Sequence, residues 1–196
     1  MTNQRWMGLV GVAVLLGGAF GAGSADLKPH KLTTISPRKL ADSLQAVIAA
    51  DRETYARLIV QRLASDEHRL PAGENWREAH GLPVPAQMLR AAGQGIQRRG
   101  AEFSYTLRSL WPINGNYGPQ TEAEQAGLEA VAQHPETNYY AEETLGGRSY
   151  LTAIYADRAI LPCCIECHNQ HPQSPRRDFR LNDVMGALVV RVPLEF

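Results

Sequence analysis

Three cysteines lie close together near the C-terminus, at Cys163, Cys164 and Cys167, and His168 follows them directly. Cys164, Cys167 and His168 form the pattern C-x-x-C-H, which is the attachment sequence of a c-type haem. In such a pattern each thiol adds to one vinyl group of the porphyrin, and the adjacent histidine binds the iron as an axial ligand. The 196-residue chain has three cysteines in all, so the sequence predicts one covalent haem per chain.

The same cluster permits different chemistry. Cys163 and Cys167 give the variant attachment spacing C-x-x-x-C-H. Attachment through Cys164 and Cys167, which we prefer, leaves Cys163 as a spare thiol or a packing residue. Zinc bound by the cysteines with His168 or His171 is an alternative, although adjacent cysteines rarely both face one tetrahedral ion. The cysteines could also form a redox-active thiol pair or a structural disulfide.

The N-terminal sequence is typical of an export signal. Arg5 precedes an uncharged apolar run over residues 6–22, and three small residues then lead to Asp26. A basic start, an apolar stretch and small residues at the cleavage site mark a secretory signal peptide. We therefore predict a signal peptide over 1–25 and a periplasmic location, where bacteria attach covalent haem. A membrane-anchored form is the alternative if the signal is not cleaved.

The overall composition indicates an ordinary globular protein. Twenty basic residues balance twenty acidic residues, so no nucleic-acid or anionic-lipid partner is indicated. The hydrophobic share of 44% and the length suggest one domain with a sizeable core. We predict a linker over 26–35 and a single domain over 36–196.

Helices are predicted mainly in the first part of this domain. Ser36 as N-cap with Pro37 at the first helical position begins a long N-terminal helix. Apolar residues at spacings of three, four and seven extend that helix to about residue 64. A second helix is predicted over 86–99.

The second half of the domain is predicted to form a sheet and one more helix. Thr121 and Glu124 form a capping box that begins this helix, and a Gly146-Gly147 turn joins two strands. The predicted strands cover 103–108, 139–143, 149–157 and 184–192. Helices followed by an antiparallel sheet constitute an α+β pattern.

Several segments in this order resemble a known family. Its members are exported single-domain c-type haem proteins with a PAS-like fold, long catalogued as a domain of unknown function and also found as haem sensor domains of bacterial signalling proteins. The resemblance covers roughly residues 40–196. Its segments are LPVPA (82–86), RSLWPINGN (108–116), PQTEAE (119–124), CIECH (164–168) and GALVVRVPL (186–194). It implies a PAS-like antiparallel sheet flanked by helices, with the haem against the sheet and a role in sensing or redox signalling.

The second axial ligand decides what a haem protein does. A second protein ligand makes a six-coordinate haem for electron transfer or redox sensing, whereas an open position admits a small gas. The candidates for this distal ligand are Met88, His80 and Tyr55, and the sequence does not choose among them. His171 lies too close to His168 in sequence to reach the opposite haem face easily.

Three arginines follow the motif in a polar loop, at Arg176, Arg177 and Arg180. They are candidates for pairing with the haem propionates, because a guanidinium suits a carboxylate. The alternative is a solvated basic loop.

The main functional hypothesis is a periplasmic c-type haem protein that senses redox state or a small gas and acts on an unidentified redox partner or membrane signalling protein. The alternative is a soluble single-haem electron-transfer cytochrome. We predict no catalytic residues. A peroxidase needs a positioned acid/base and an arginine on an open distal face, and no spacing here singles out such a pair.

Overall fold

The computed structural model describes residues 34–195. The predicted signal peptide over 1–25 and most of the linker over 26–35 lie outside the described residues. Among the described helices, none combines the length and the hydrophobicity that crossing a bilayer requires.

Four α-helices occur in the described chain: α1 (Pro37–Tyr55), α2 (Pro85–Arg98), α3 (Glu122–Gln133) and α4 (Pro162–Gln170). As predicted, α1 begins at a capped end, because the Ser36 side chain accepts a hydrogen bond from the Lys39 amide. The predicted long helix changes its winding at Ala56–Asp66, a π-helical segment that continues α1. Such wide turns are rare and often lie at functional sites.

The described strands are β1 (Ala72–Gly73), β2 (Leu82–Pro83), β3 (Ser104–Arg108), β4 (Tyr139–Leu145), β5 (Arg148–Arg158) and β6 (Val184–Pro193). The last four form an antiparallel sheet in the order β3-β6-β5-β4, and β1 pairs with β2 in parallel. Gly146 and Gly147 join β4 to β5 with φ angles of 58° and 80°, a left-handed conformation that favours glycine. The fold class is α+β with a helix-flanked antiparallel sheet, as predicted.

Helices cover both faces of the sheet. On one face α1 and α2 pack against it, with Leu89 in the same buried cluster as Val190. On the other face Leu128 of α3 packs with Val189. Because β6 is paired on both sides and covered on both faces, its residues are almost all buried, which explains its nearly continuous apolar sequence.

The capping box at the start of α3 forms only in part. The Thr121 hydroxyl accepts a hydrogen bond from the Glu124 amide at 3.1 Å, as predicted. The Glu124 carboxylate is fully buried, however, and binds Arg108, Arg191 and the Gln120 amide. The two guanidinium groups bind one carboxylate oxygen and the Gln120 amide binds the other, so both oxygens are engaged away from the Thr121 amide that would complete the box.

Asp42 connects α1 to the sheet. One of its carboxylate oxygens accepts hydrogen bonds from the hydroxyls of Tyr140, at 2.6 Å, and Tyr155, at 2.8 Å. We expect Asp42→Asn to lower the free energy of unfolding by about 2 kcal/mol, because hydrogen bonds to a charged group stabilise about 1 kcal/mol more each than neutral ones. Urea titration checks this against Asp51→Asn, an exposed position on the same helix. Equal losses in the two variants would contradict the role of Asp42.

Candidate cofactor site

The C-x-x-C-H sequence lies on α4, where the sequence pattern predicts no helix. Pro162 stands at the first helical position, a placement that favours a helix start and was the available sequence signal. Residues three and four apart share one side of a helix. Cys164, Cys167 and His168 therefore lie on the same side of α4, and all three line one cavity.

This cavity has a volume of about 400 Å³. Its other walls include the π-helical segment, the start of α2, the turn after β3 and the start of β6, with Arg52 of α1 and Glu74 at the side. Apolar side chains in these walls include Val60, Val84, Trp111, Ile113 and Met185. Sites for cofactors and drug-sized ligands measure about 300–1,000 Å³ and are mostly apolar, so both the volume and the lining suit a cofactor.

The thiols on α4 differ in acidity. The neighbouring Cys163 thiol, followed by the charge of Arg52, lowers the pKa of Cys164. The contact with Cys164, together with burial, raises the pKa of Cys163. Although part of Cys167 reaches solvent, desolvation of its thiol and the nearby Glu74 raise its pKa. The thiolate is the reactive form of cysteine, so Cys164 is the more nucleophilic thiol of the attachment pair.

His168 has the properties of a neutral metal ligand. Burial, followed by the charges of His171 and Arg52, lowers its pKa to about 4, and the neutral imidazole is the form that binds metals. Its Nδ1 atom is buried and has no hydrogen-bond partner within residues 34–195. A buried polar atom without a partner is costly, and because Nδ1 has almost no exposed surface it is not the ring nitrogen that is open to the cavity.

A loop residue holds the His168 ring in place. The Phe179 ring meets it edge-on, with 5.8 Å between the centroids and 90° between the planes. Asn169 fixes Phe179 by accepting from its amide at 3.0 Å and donating to its carbonyl at 2.9 Å. Sequence reasoning missed both residues, because a contact between a helix and a later loop leaves no periodic signal.

The three predicted distal ligands do not line this cavity. Met88 packs against the core beneath α1 and α2. His80 is exposed in a turn with a φ of 49°. The Tyr55 hydroxyl donates a hydrogen bond to the Pro83 carbonyl at 2.8 Å. The fold therefore uses these residues elsewhere and does not bring them to His168.

Different side chains with iron-binding atoms do line the cavity. His171 is one of them despite its closeness to His168 in sequence, and its Nε2 lies 3.7 Å from the Glu74 carboxylate. Met185 of β6 and Tyr117 of the turn after β3 also line it from outside α4. Met185 is buried in the cluster against which Cys164 packs, so it lies on the same side of the cavity as α4.

The three arginines after the motif do not line the cavity either. Arg176 pairs with Asp178 at 2.8 Å and with Asp183 at 3.2 Å. Arg177 donates to a backbone carbonyl of its own loop, and Arg180 is exposed. The guanidinium groups of Arg176 and Arg177 are therefore already bound by carboxylates and carbonyls of the same loop. The arginines that line the cavity are instead Arg52, Arg90 and Arg108.

Zinc and disulfide chemistry find less support in the cysteine cluster. Within residues 34–195, no group of three or more His, Cys, Asp or Glu side chains is arranged to hold a metal ion, so zinc lacks a ligand set there. All three cysteines are free thiols in the structure.

Fold and site together define an α+β protein in which a helix with a C-x-x-C-H sequence forms one wall of an apolar cavity beside an antiparallel sheet. The model of the Tll0287-like family matches residues 31–193, and the chain belongs to this family. Among solved structures, the chain is similar to the crystal structure of the cyanobacterial haem protein Tll0287, with 15% sequence identity and a TM-score of 0.47. That match covers 82% of this chain and 98% of the other. A search of curated proteins found no match.

Proposed function

We propose that this chain binds one haem covalently, through thioether bonds from Cys164 and Cys167, with His168 as an axial ligand of the iron. One observation carries this proposal: the three side chains lie on one side of α4 and line the same apolar cavity. Membership of a family that includes a haem protein supports it.

A bound haem supplies reversible one-electron chemistry and an iron that accepts a small ligand. The residues of this chain hold and tune it. Cys164 and Cys167 tether it, and Phe179 orients the His168 ring that binds the iron. The apolar walls limit access of water, and the polarity and solvent access around a metal set its redox potential.

We propose a non-enzymatic role in sensing redox state or a small gas. The fold uses Met88, His80 and Tyr55 away from the cavity. Of the cavity side chains with iron-binding atoms, His171 follows α4, Met185 lies on the side of α4, and Tyr117 packs against Arg90. This arrangement favours an iron position open to a gas. A redox partner or a membrane signalling protein in the periplasm would receive the signal. The alternative function is soluble electron transfer, which would require a side chain of the cavity wall to bind the iron opposite His168.

Production with a c-type maturation system tests the haem proposal. We expect the ferrous pyridine haemochrome spectrum of a c-type haem, at one haem per chain. Absence of covalent haem in this preparation would refute the proposed function.

Carbon monoxide distinguishes the two roles of the loaded protein. Because an open iron position needs no ligand displacement, we expect the ferrous protein to bind CO rapidly and completely. A low-spin ferrous haem that is inert to CO would instead favour the electron carrier. Absorption spectra of both oxidation states, with and without CO, provide the measurement.

A further inference from the structure

Arg90 of α2 is a cavity residue whose charge the protein leaves without a close carboxylate. It lines the same cavity as Cys164 and His168. Of the other arginines in the cavity wall, Arg52 pairs with a carboxylate at 2.9 Å and Arg108 with one at 3.2 Å. Within residues 34–195, Arg90 forms no ion pair, and its buried Nε has no hydrogen-bond partner. The side chain is half-buried, and a cation that is partly removed from water is stabilised when an anion pairs with it.

An aromatic ring holds the Arg90 side chain in position. The carbon atom of the guanidinium lies 3.4 Å from the centroid of the Tyr117 ring, a cation–π contact that also restricts the side chain. Tyr117 lines the cavity beside it. The guanidinium therefore has few conformations to lose when it binds a planar anion.

The charged groups around Arg90 do not neutralise its guanidinium. Burial lowers the pKa of Arg90, and the nearby Arg108 acts in the same direction, whereas Tyr117 and Glu74 oppose it. The Glu74 carboxylate acts on Arg90 through its charge. Its side chain is half exposed, however, and one carboxylate oxygen lies 3.7 Å from His171 Nε2. Arginine remains charged in proteins, so Arg90 presents a full positive charge at the cavity wall.

We propose that Arg90 binds a propionate carboxylate of the haem, with the Tyr117 ring holding the guanidinium in place. This inference rests on the proposed haem binding. A planar guanidinium makes two parallel hydrogen bonds to a carboxylate, and a propionate would neutralise the cation that the cavity wall leaves unpaired. Sequence position suggested Arg176 and Arg177 for this role, but their own loop occupies them.

The midpoint potential of the loaded protein tests this assignment. Arg90→Gln removes a positive charge that neutralises the propionate, and the remaining negative charge favours ferric haem. We expect the ratio of ferrous to ferric haem at a fixed applied potential to fall about threefold. Arg90→Lys keeps the charge and should restore most of this loss. Arg98→Gln, an exposed position on the same helix, is the matched control and should leave the ratio unchanged.

The dependence of the potential on pH gives a second readout, which a merely structural role of Arg90 would not move. In the unmodified protein the guanidinium keeps the propionate ionised, so the midpoint potential should vary little between about pH 5 and pH 8. In Arg90→Gln the propionate pKa rises, and protonation removes its negative charge. The potential of this variant should therefore increase as the pH falls through that range.

Haem content, measured as pyridine haemochrome before each titration, separates the possible failures. An unmodified protein without covalent haem overturns the proposed function and this inference with it. Loaded Arg90→Gln and Arg98→Gln with the same potential and pH profile overturn the assignment of Arg90 alone. If Arg90→Gln does not accumulate, Tyr117→Leu keeps the charge and removes the ring. We expect a smaller decrease of the potential in that variant, and an unchanged potential there would overturn the assignment.

Discussion

Replacing both Cys164 and Cys167 by serine is expected to abolish covalent haem attachment almost completely. Serine has no thiolate, and the thiolate is the nucleophile in cysteine chemistry. Each single variant retains one thioether bond, so its haemochrome spectrum should report one unreacted vinyl group. We expect Cys164→Ser to load more poorly than Cys167→Ser, because Cys164 has the lower pKa of the two thiols.

Cys163→Ser is the matched control for this series. It replaces the thiol that lowers the pKa of Cys164 by a hydroxyl, which is also a hydrogen-bond donor, and it keeps the C-x-x-C-H spacing, so two thioether bonds should remain. Haem staining of denaturing gels and the mass of the peptide that carries the motif measure both outcomes. Loss of one bond in Cys163→Ser together with full attachment in Cys164→Ser would show that Cys163 and Cys167 are the attachment pair.

Replacement of Glu124 by alanine is expected to have the largest effect on stability. Its carboxylate has no exposed surface and accepts from Arg108 at 3.2 Å, Arg191 at 2.8 Å and the Gln120 amide at 2.6 Å. Removal of one partner from a buried charge network leaves uncompensated charges and costs about 3–5 kcal/mol. We therefore expect Glu124→Ala to lower the free energy of unfolding by this amount.

Glu122→Ala is the matched control, since it removes an exposed carboxylate from the same helix. Its loss should stay below about 1 kcal/mol, as for most surface changes. Glu124→Gln keeps the shape and some hydrogen bonds, and its loss should be intermediate. Urea-induced unfolding followed by circular dichroism measures all three. A loss for Glu124→Ala as small as that of Glu122→Ala would contradict a stabilising role of the network.

Most strands and long helices could be predicted because each carries a repeated pattern over many residues. β3 alternates with Tyr105 and Leu107 buried, and β6 is apolar along nearly its whole length. α4 could not be predicted in this way, because nine residues hold too few turns for an apolar stripe. Packing of Cys164 and Ile165 against a buried cluster supports it instead, and that contact depends on the rest of the fold.

The change from an α-helix to a π-helix after Tyr55 could not be predicted from the sequence either. The apolar residues of Ala56–Asp66 have the spacing of an ordinary helix, so the sequence carries no sign of the change. The wider π-helical turns leave Leu58 of this spacing exposed and bury Val60. The wider turns matter for the site, because Val60 and Ala64 of this segment line the cavity.

The sequence by itself determined the candidate attachment residues of this protein. Cys164, Cys167 and His168 are neighbours along the chain, so their relative placement depends on local backbone geometry alone. Only the tertiary structure decided what surrounds them. Arg90 and Tyr117 lie on separate elements far from the motif in sequence, and packing of those elements around the cavity brings them to it. Contacts between distant segments leave no mark in residue spacing, and for this reason Met88, His80 and Tyr55 appeared as suitable from the sequence as any residue in the cavity wall.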